Sequence, residues 1–219
     1  MGHFLHGLWN FLHGRGSELL FLTVQHLSLV VQTVIVGVIV ALAIAVLVYR
    51  SPVAAALTTA LAGIGLTIPS LALLALLLIP FGLGVKPSVV MLAFYAALPV
   101  LTSAVVGLRS VPAAAIEAAR GIGFPRWRVL LSVEFPFAWP VILTGVRVST
   151  QMVVGVAAVV AYVLGPGVGS LIFSGLSRLG GAGALESALT GTVLIVLIAL
   201  VLDGLLVLLG RLTISKGLA

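Results

Sequence analysis

Glu117–Pro136 reads EAARGIGFPRWRVLLSVEFP, a charged segment punctuated by glycine and proline in a chain otherwise made of apolar helices. Just before it, Ser110-Val111-Pro112 reads as a helix opening, with Ser110 a candidate cap and Pro112 tolerated in the first turn, and Ala113 to Arg120 is strongly helix-forming. Gly121 and Gly123 break that helix. Pro125 starts a second one through Trp127, Val129 and Leu130, and Pro136 drives the residue before it towards extended backbone. The spacing therefore predicts helix, turn, helix. Ala118, Ala119, Gly121 and Gly123 have almost no side chain and let another protein's surface approach the backbone, while Arg120, Arg126 and Arg128 keep the segment out of hydrocarbon. A docking knob meets those demands; an amphipathic surface loop is the plainer alternative.

Outward from this segment the composition changes character. The chain has 219 residues, 62% of them hydrophobic and only 7% charged, with no Cys, and its mean hydropathy is +1.36. Such a composition excludes a soluble domain, disulfides and thiol chemistry. Apolar runs of about 20 residues recur, enough to cross ~30 Å of hydrocarbon at ~1.5 Å per residue. Five spans fit: about 27–48, 55–79, 88–108, 139–164 and 189–209, with the charged loop at 109–136. The expected class is an all-α polytopic membrane protein, a single transmembrane domain over 26–219 behind an N-terminal segment, 1–25, that lies at the bilayer interface. In that segment Phe4, Leu5, Leu8, Phe11 and Leu12 offer an apolar face and Trp9 suits the headgroup region. No basic start precedes a short apolar core with a small-residue cleavage site, so a cleavable signal peptide is not expected. His3, His6 and His13 have no carboxylate or thiol beside them in sequence and read as interfacial histidines rather than metal ligands; the metal expectation is none.

Several intramembrane residues carry alternatives. Gln32 and Thr33 suit interhelical hydrogen bonds or a pore lining. Gly63, Gly65 and Pro69 interrupt the second span and Pro99 sits in the middle of the third, so proline is expected to break both. The carbonyls so freed, with Ser70, Thr102 and Ser103, make Pro69, Ser70, Pro99, Thr102 and Ser103 candidate pore or gate residues; plain kinks are the alternative. The segment Leu171 to Leu176 is too short to cross. Asp203 and Arg147 lie at similar depths, ~9 Å before the end of the fifth span and ~12 Å after the start of the fourth, two ends that share one membrane face. They form a candidate intramembrane ion pair, against solvation in a vestibule or pairing within the charged loop.

The charged segment resembles the loop of permease subunits of binding-protein-dependent ABC importers, which reads E-A-A, three residues, Gly, nine residues, Ile, one residue, Leu, Pro. Here the pattern falls on Glu117, Ala118, Ala119, Gly123, Val133, Phe135 and Pro136, with Val and Phe replacing Ile and Leu at unchanged spacing. The resemblance implies a MetI-like permease of five transmembrane helices and a cytoplasmic coupling helix that fits a cleft on an ABC ATPase. Glu117, Ala118, Ala119, Gly121, Gly123, Val133, Phe135 and Pro136 are then the coupling residues. It also implies a second permease subunit, identical or paralogous, and an extracytoplasmic substrate-binding protein, in a bacterial or archaeal cell membrane. With the loop cytoplasmic, eight of the eleven Arg and Lys lie inside, including Arg211 and Lys216, against Arg15, Lys86 and Arg178 outside. The positive-inside rule agrees, with the N-terminus outside and the C-terminus cytoplasmic.

A second resemblance covers about two-thirds of the chain. LTIPSLALLALLLIPFGLGVKPSVVMLAFYAALPVL, IEAARGIGFPRWRVLLSVEFP and LGPGVGSLIFSGL look like permeases for glycine betaine, carnitine and choline, the osmoprotectant importers. Leu101-Thr102-Ser103 stands where that family usually has Arg-Asn-Thr, and Gly167-Val168-Gly169 where it has Gly-Leu-Gly. Methionine-type permeases are the runner-up, and a stand-alone channel the alternative class.

An enzyme is not expected. The five acidic residues Glu18, Glu117, Glu134, Glu186 and Asp203 are far apart in sequence, and Lys86 and Lys216 follow Val85 and Ser215, so no P-loop exists to cradle nucleotide. No cofactor is expected on this chain, and ATP and Mg belong to the partner ATPase. The basic residues are scattered between spans rather than clustered, which argues against nucleic acid. Trp9, Trp127 and Trp139 lie outside the spans' interior, leaving Phe94, Tyr95 and Tyr162 too sparse to cage a quaternary ammonium.

Overall fold

The computed structural model describes residues 2–214, with side chains from His6 onward; the expectations for the side chains of His3, Phe4 and Leu5 and for Lys216 lie outside the described residues. The helices in chain order are α1 Gly2–Gly14, α2 Gly16–Val48, α3 Pro52–Thr67, α4 Ser70–Phe81, α5 Val85–Arg109, α6 Ala113–Gly121, α7 Arg126–Val129, α8 Phe135–Val156, α9 Gly169–Ser177 and α10 Ala184–Thr213. A π turn, Leu130–Glu134, joins α7 to α8, and a 3-10 turn covers Val159–Val163.

Four helical stretches are long and apolar enough to cross a bilayer: Gly16–Val48, Val85–Arg109, Arg126–Val156 and Ala184–Thr213. A fifth crossing exists if α3 and α4, bent by 94° across a short break, count as one span. The long helices overrun the stretches read from hydropathy. That reading picks out the ~20 residues hydrocarbon requires, while the backbone stays hydrogen-bonded into the interface. Thus α2 begins at Gly16, well before Leu27, and only Arg15 separates it from α1. The Arg15 guanidinium donates two hydrogen bonds to Glu18, at 2.7 and 2.6 Å, and Glu18 in the first turn suits the positive end of the helix dipole. The fourth helical stretch starts at Arg126 and gives way to the 3-10 turn after Val156, short of Leu164. At nine residues, α9 is too short to cross.

The prolines act differently from one another. At Pro69 the chain turns: its φ of −63° and ψ of 130° are extended, and Ile68 before it is not helical. At Pro99 the expected break does not occur, and α5 continues to Arg109. Nearby, Ser149 of α8 donates a 2.7 Å hydrogen bond to the Ala96 carbonyl, so a neighbouring helix holds the α5 backbone within the turn before Pro99. Pro136 likewise fails to end its helix. Phe135 is helical at φ −67° and ψ −47°, and the Phe135 N–H donates five residues back to the Leu130 carbonyl, so the wider π turn accommodates the proline. Gln32 and Thr33 do not bridge helices: Gln32 donates to Ser28 Oγ at 2.7 Å and Thr33 to the Leu29 carbonyl at 2.8 Å, both four residues back on the same helix.

The chain divides into two compact units. The first comprises Met1–Thr33, Ile68–Ala93 and Thr150–Leu202. Its core holds Val30, Leu74, Met91, Leu92, Val153, Val154 and Val160. His26 is fully buried there and shares a hydrogen bond of 3.1 Å with the Val154 carbonyl. At Gly175 a Cβ would meet the Ala184 carbonyl at 2.5 Å, so α9 lies directly on the start of α10.

The second unit comprises Val34–Thr67, Phe94–Ser149 and Asp203–Ala219. Ala41, Ala45, Ala96, Val100, Ala104, Ala138 and Ile142 are fully or almost fully buried in it. Small residues set the helix spacing, as packing in a bilayer demands. A Cβ on Gly145 of α8 would lie 2.5 Å from Ser103 Cβ and 2.9 Å from the Pro99 carbonyl of α5.

Candidate functional site

The charged segment folds as two short helices around a glycine turn, all within the second unit. Pro112, not Ser110, occupies the N-cap of α6, at φ −59° and ψ 129°; Ser110 instead turns its hydroxyl onto the Gly107 carbonyl at 2.9 Å and closes the end of α5. At the far end of α6 the Gly123 N–H donates to the Arg120 carbonyl at 2.9 Å and the Phe124 N–H to the Ala119 carbonyl at 3.1 Å. Gly123 has φ +89°, a left-handed conformation that glycine adopts without steric cost. Pro125 then caps α7, and Arg128 lies over the Phe124 ring, 4.3 Å from its centroid.

Glu117, Ala118, Gly121 and Gly123 are exposed, and a Cβ on either glycine would meet nothing within 4 Å. Ile122 and Trp127 are 74% and 65% exposed beside them. Ala119 faces inward and is buried, so it holds α6 down rather than presenting a surface; Val133 and Phe135 are half-buried and Pro136 exposed. The result is an open platform of small residues ringed by Arg120, Arg126 and Arg128, which are also exposed.

Behind it lies a cluster that sequence reasoning missed. Glu134, in the π turn, is only 2% exposed, and Tyr49, just past the end of α2, donates to its Oε2 at 2.5 Å. Arg50 donates from Nε to the same phenol at 2.6 Å and brings Nη2 to 3.6 Å from Glu134. Arg109, at the end of α5, donates to the Tyr49 carbonyl at 2.9 Å. Burial, and then the carboxylate, push the Tyr49 phenol up to about 12, so it remains a proton donor at physiological pH. The available signal was a carboxylate in an apolar stretch two residues before a proline, together with an aromatic–cation pair at a span end.

Arg147 and Asp203 meet in the same unit. Arg147 donates from Nε to Oδ1 at 2.9 Å and from Nη2 to Oδ2 at 3.0 Å, a bidentate pair joining α8 to α10. It opens on a groove lined by Pro140, Thr144, Leu206, Gly210 and Arg211. Replacing either partner alone, Arg147→Met or Asp203→Leu, is expected to lower the thermal midpoint of the purified protein more than the double substitution does, because each single change strands one charge. Equal midpoints for all three variants would contradict this.

Of the pore candidates, Pro69 and Ser70 belong to the first unit and Pro99, Thr102 and Ser103 to the second. Thr102 donates to the Leu98 carbonyl at 3.1 Å, within its own helix, and Ser103 packs against Gly145. Tyr95 is buried with its ring edge-on to Phe94 at 5.6 Å; Tyr162 is exposed, with Phe173 at 5.8 Å. In the N-terminal helix His13 hydrogen-bonds the Trp9 carbonyl at 3.0 Å, and His6 pairs with Asn10 at 3.1 Å.

An apolar, all-helical chain carrying an exposed helix–turn–helix with the E-A-A spacing defines a permease subunit, and comparison with known proteins gives its family. Residues 33–215 match the family described as the binding-protein-dependent transport system inner membrane component, and the chain belongs to it. It is 34% identical over 211 residues to the glycine betaine/carnitine/choline transport system permease protein OpuCB of Bacillus subtilis (strain 168), covering 96% of this chain and 95% of that protein. It is 35% identical to the choline transport system permease protein OpuBB of the same organism, over 91% of this chain and 90% of that one. To the osmoprotectant import permease protein OsmY of Salmonella typhimurium it is 36% identical, over 91% and 84%. Among solved structures, a chain of the inward-facing MetNI methionine ABC transporter superposes with a TM-score of 0.76 at 22% identity, covering 90% of this chain and 96% of that one. This last likeness shows the fold alone.

Proposed function

We propose that this chain is the transmembrane permease subunit of an ATP-driven importer for quaternary-amine osmoprotectants such as glycine betaine, carnitine or choline. The observation that carries the reading is the exposed α6–Gly123–α7 platform, with its small residues and three arginines, on a chain otherwise built for lipid. The likeness to three osmoprotectant permeases over most of the chain supports the solute class. The platform docks on a cytoplasmic ABC ATPase, which holds the ATP and Mg; this chain supplies no nucleotide site. A second permease subunit completes the path, and an extracytoplasmic binding protein delivers the solute. With few aromatic rings near the helix interiors, selectivity rests on that binding protein rather than on a tight site here.

The reading also fixes topology. With α3 and α4 as one broken span there are five crossings, an odd number, so the termini lie on opposite faces; with the platform cytoplasmic, the N-terminus is outside and the C-terminus in the cytoplasm of a bacterial or archaeal cell. The chain has no Cys, so single cysteines report sidedness directly. Leu83→Cys and Ile122→Cys, both at exposed positions, are expected to react with an impermeant maleimide from opposite faces of the membrane. If Leu83→Cys instead labels from the same face as Arg50→Cys, α3 and α4 form a re-entrant loop.

Solute choice is tested by uptake into vesicles carrying the chain with its ATPase and binding protein. ATP-dependent entry of labelled choline or glycine betaine, not competed by methionine, is the predicted result. Methionine uptake without quaternary-amine uptake would replace this reading with the methionine-type alternative.

A further inference from the structure

The Tyr49–Glu134 hydrogen bond lies where the docking platform meets the membrane helices. Glu134 closes the π turn that connects α7 to α8, so the platform's second helix runs on into the membrane-spanning part of the Arg126–Val156 stretch through that turn. Tyr49 sits one residue past the end of α2, and its carbonyl is held by Arg109 from the end of α5. The buried phenol–carboxylate contact and the Arg109 hydrogen bond together join three helix ends directly behind the loop. A turn with five-residue hydrogen bonds is a local departure from α-helix and a place where a helix changes direction, so a side chain anchored there bears on that direction. Glu134 is so anchored, because a carboxylate 2% exposed must keep its hydrogen bond or carry the cost of an unsatisfied buried charge. Arg50 adds charge at 3.6 Å and lies over the Tyr49 ring at 5.1 Å, keeping the phenol pointed at Glu134.

We propose that Glu134 is a positioning residue for energy coupling: held by Tyr49, it fixes the direction in which α8 leaves the docking loop, so that displacement of the loop is delivered to α2, α5 and α8 together. This rests on the docking reading above. Nothing in it requires Glu134 or Tyr49 to touch the ATPase or the solute.

The test uses the complete transporter, this chain with its ATPase and binding protein, in lipid vesicles, with ATP hydrolysed and choline imported measured on the same preparation. Tyr49→Phe removes the donor and Glu134→Leu the acceptor. Each is expected to raise the ATP hydrolysed per choline imported by about tenfold, one charge-assisted hydrogen bond's worth, while the ATPase stays bound. Glu134→Gln keeps an oxygen for the phenol and is expected to rescue most of the coupling. Should Glu134→Leu fail to fold, the double variant Tyr49→Phe/Glu134→Leu removes both polar groups together and is expected to recover stability but remain uncoupled. A double variant that regains both stability and the wild-type ratio would show a purely structural contact and overturn the proposal, as would a Tyr49→Phe ratio within about twofold of wild type. Wild-type chain that retains no ATPase would instead overturn the docking reading, and this inference with it.

Discussion

Replacing Gly123 by Trp is expected to leave a membrane-inserted, folded chain that imports nothing. Gly123 sits at φ +89° in the turn between α6 and α7, and a Cβ there points into open space. The fold therefore bears only the strain of a left-handed L-residue, roughly 1–2 kcal/mol. The platform bears much more, since an indole standing on a surface of Ala118, Gly121 and Gly123 holds any partner away from the backbone. Losing the centre of an interface in this way corresponds to at least ~100-fold in partner affinity. Solute uptake and co-purification of the ATPase should both fall to background while thermal stability changes little. Gly123→Asn provides the control, because Asn tolerates the left-handed region and adds little bulk, so it should retain part of the transport. Normal uptake by the Trp variant would mean that the platform is not where the partner docks.

The second large effect lies within the helices. Gly145→Leu places a Cβ 2.5 Å from Ser103 Cβ and 2.9 Å from the Pro99 carbonyl, where α8 crosses α5 with no flexible side chain to yield. Overpacking of this kind costs about 3 kcal/mol or more, which for a chain of this length lowers the thermal midpoint by roughly 6–12 °C. Gly155→Leu, on the same helix with nothing near its Cβ, should leave the midpoint almost unchanged. A similar loss from both substitutions would show that helix propensity, rather than the α5–α8 approach, governs this region.

Local chemistry is what the sequence exposes well. Runs of apolar residues mark the spans, and the E-A-A spacing marks α6 and its turn. The depths of Arg147 and Asp203 follow from counting residues along their helices. Tertiary compensation is not exposed. Pro99 does not break α5, and the turn before it is held by Ser149, which bonds the Ala96 carbonyl from 53 positions away, a contact no local pattern announces. Pro136 is absorbed by a π turn that no residue pattern announces, and the 94° bend between α3 and α4 is a magnitude that Pro69 alone does not set. Glu134 is isolated from other charges along the chain and finds Tyr49 and Arg50 only on folding, 85 and 84 positions back. Ser110 looks like a cap because it stands two residues before a proline, yet its hydroxyl is nearer to the carbonyls of the helix it follows.

The central claim, that the α6–Gly123–α7 platform receives force from an ATPase, is tested most directly by crosslinking. In the Cys-free chain, Ile122→Cys places one thiol on the exposed rim of the platform. With that thiol carrying a photoactivatable maleimide and the ATPase and binding protein present, the label is predicted to crosslink to the ATPase, with a yield that changes when ATP is added, while the same label on Leu83→Cys gives none. Crosslinking from Leu83→Cys, or none from Ile122→Cys in a complex that still transports, would contradict the account.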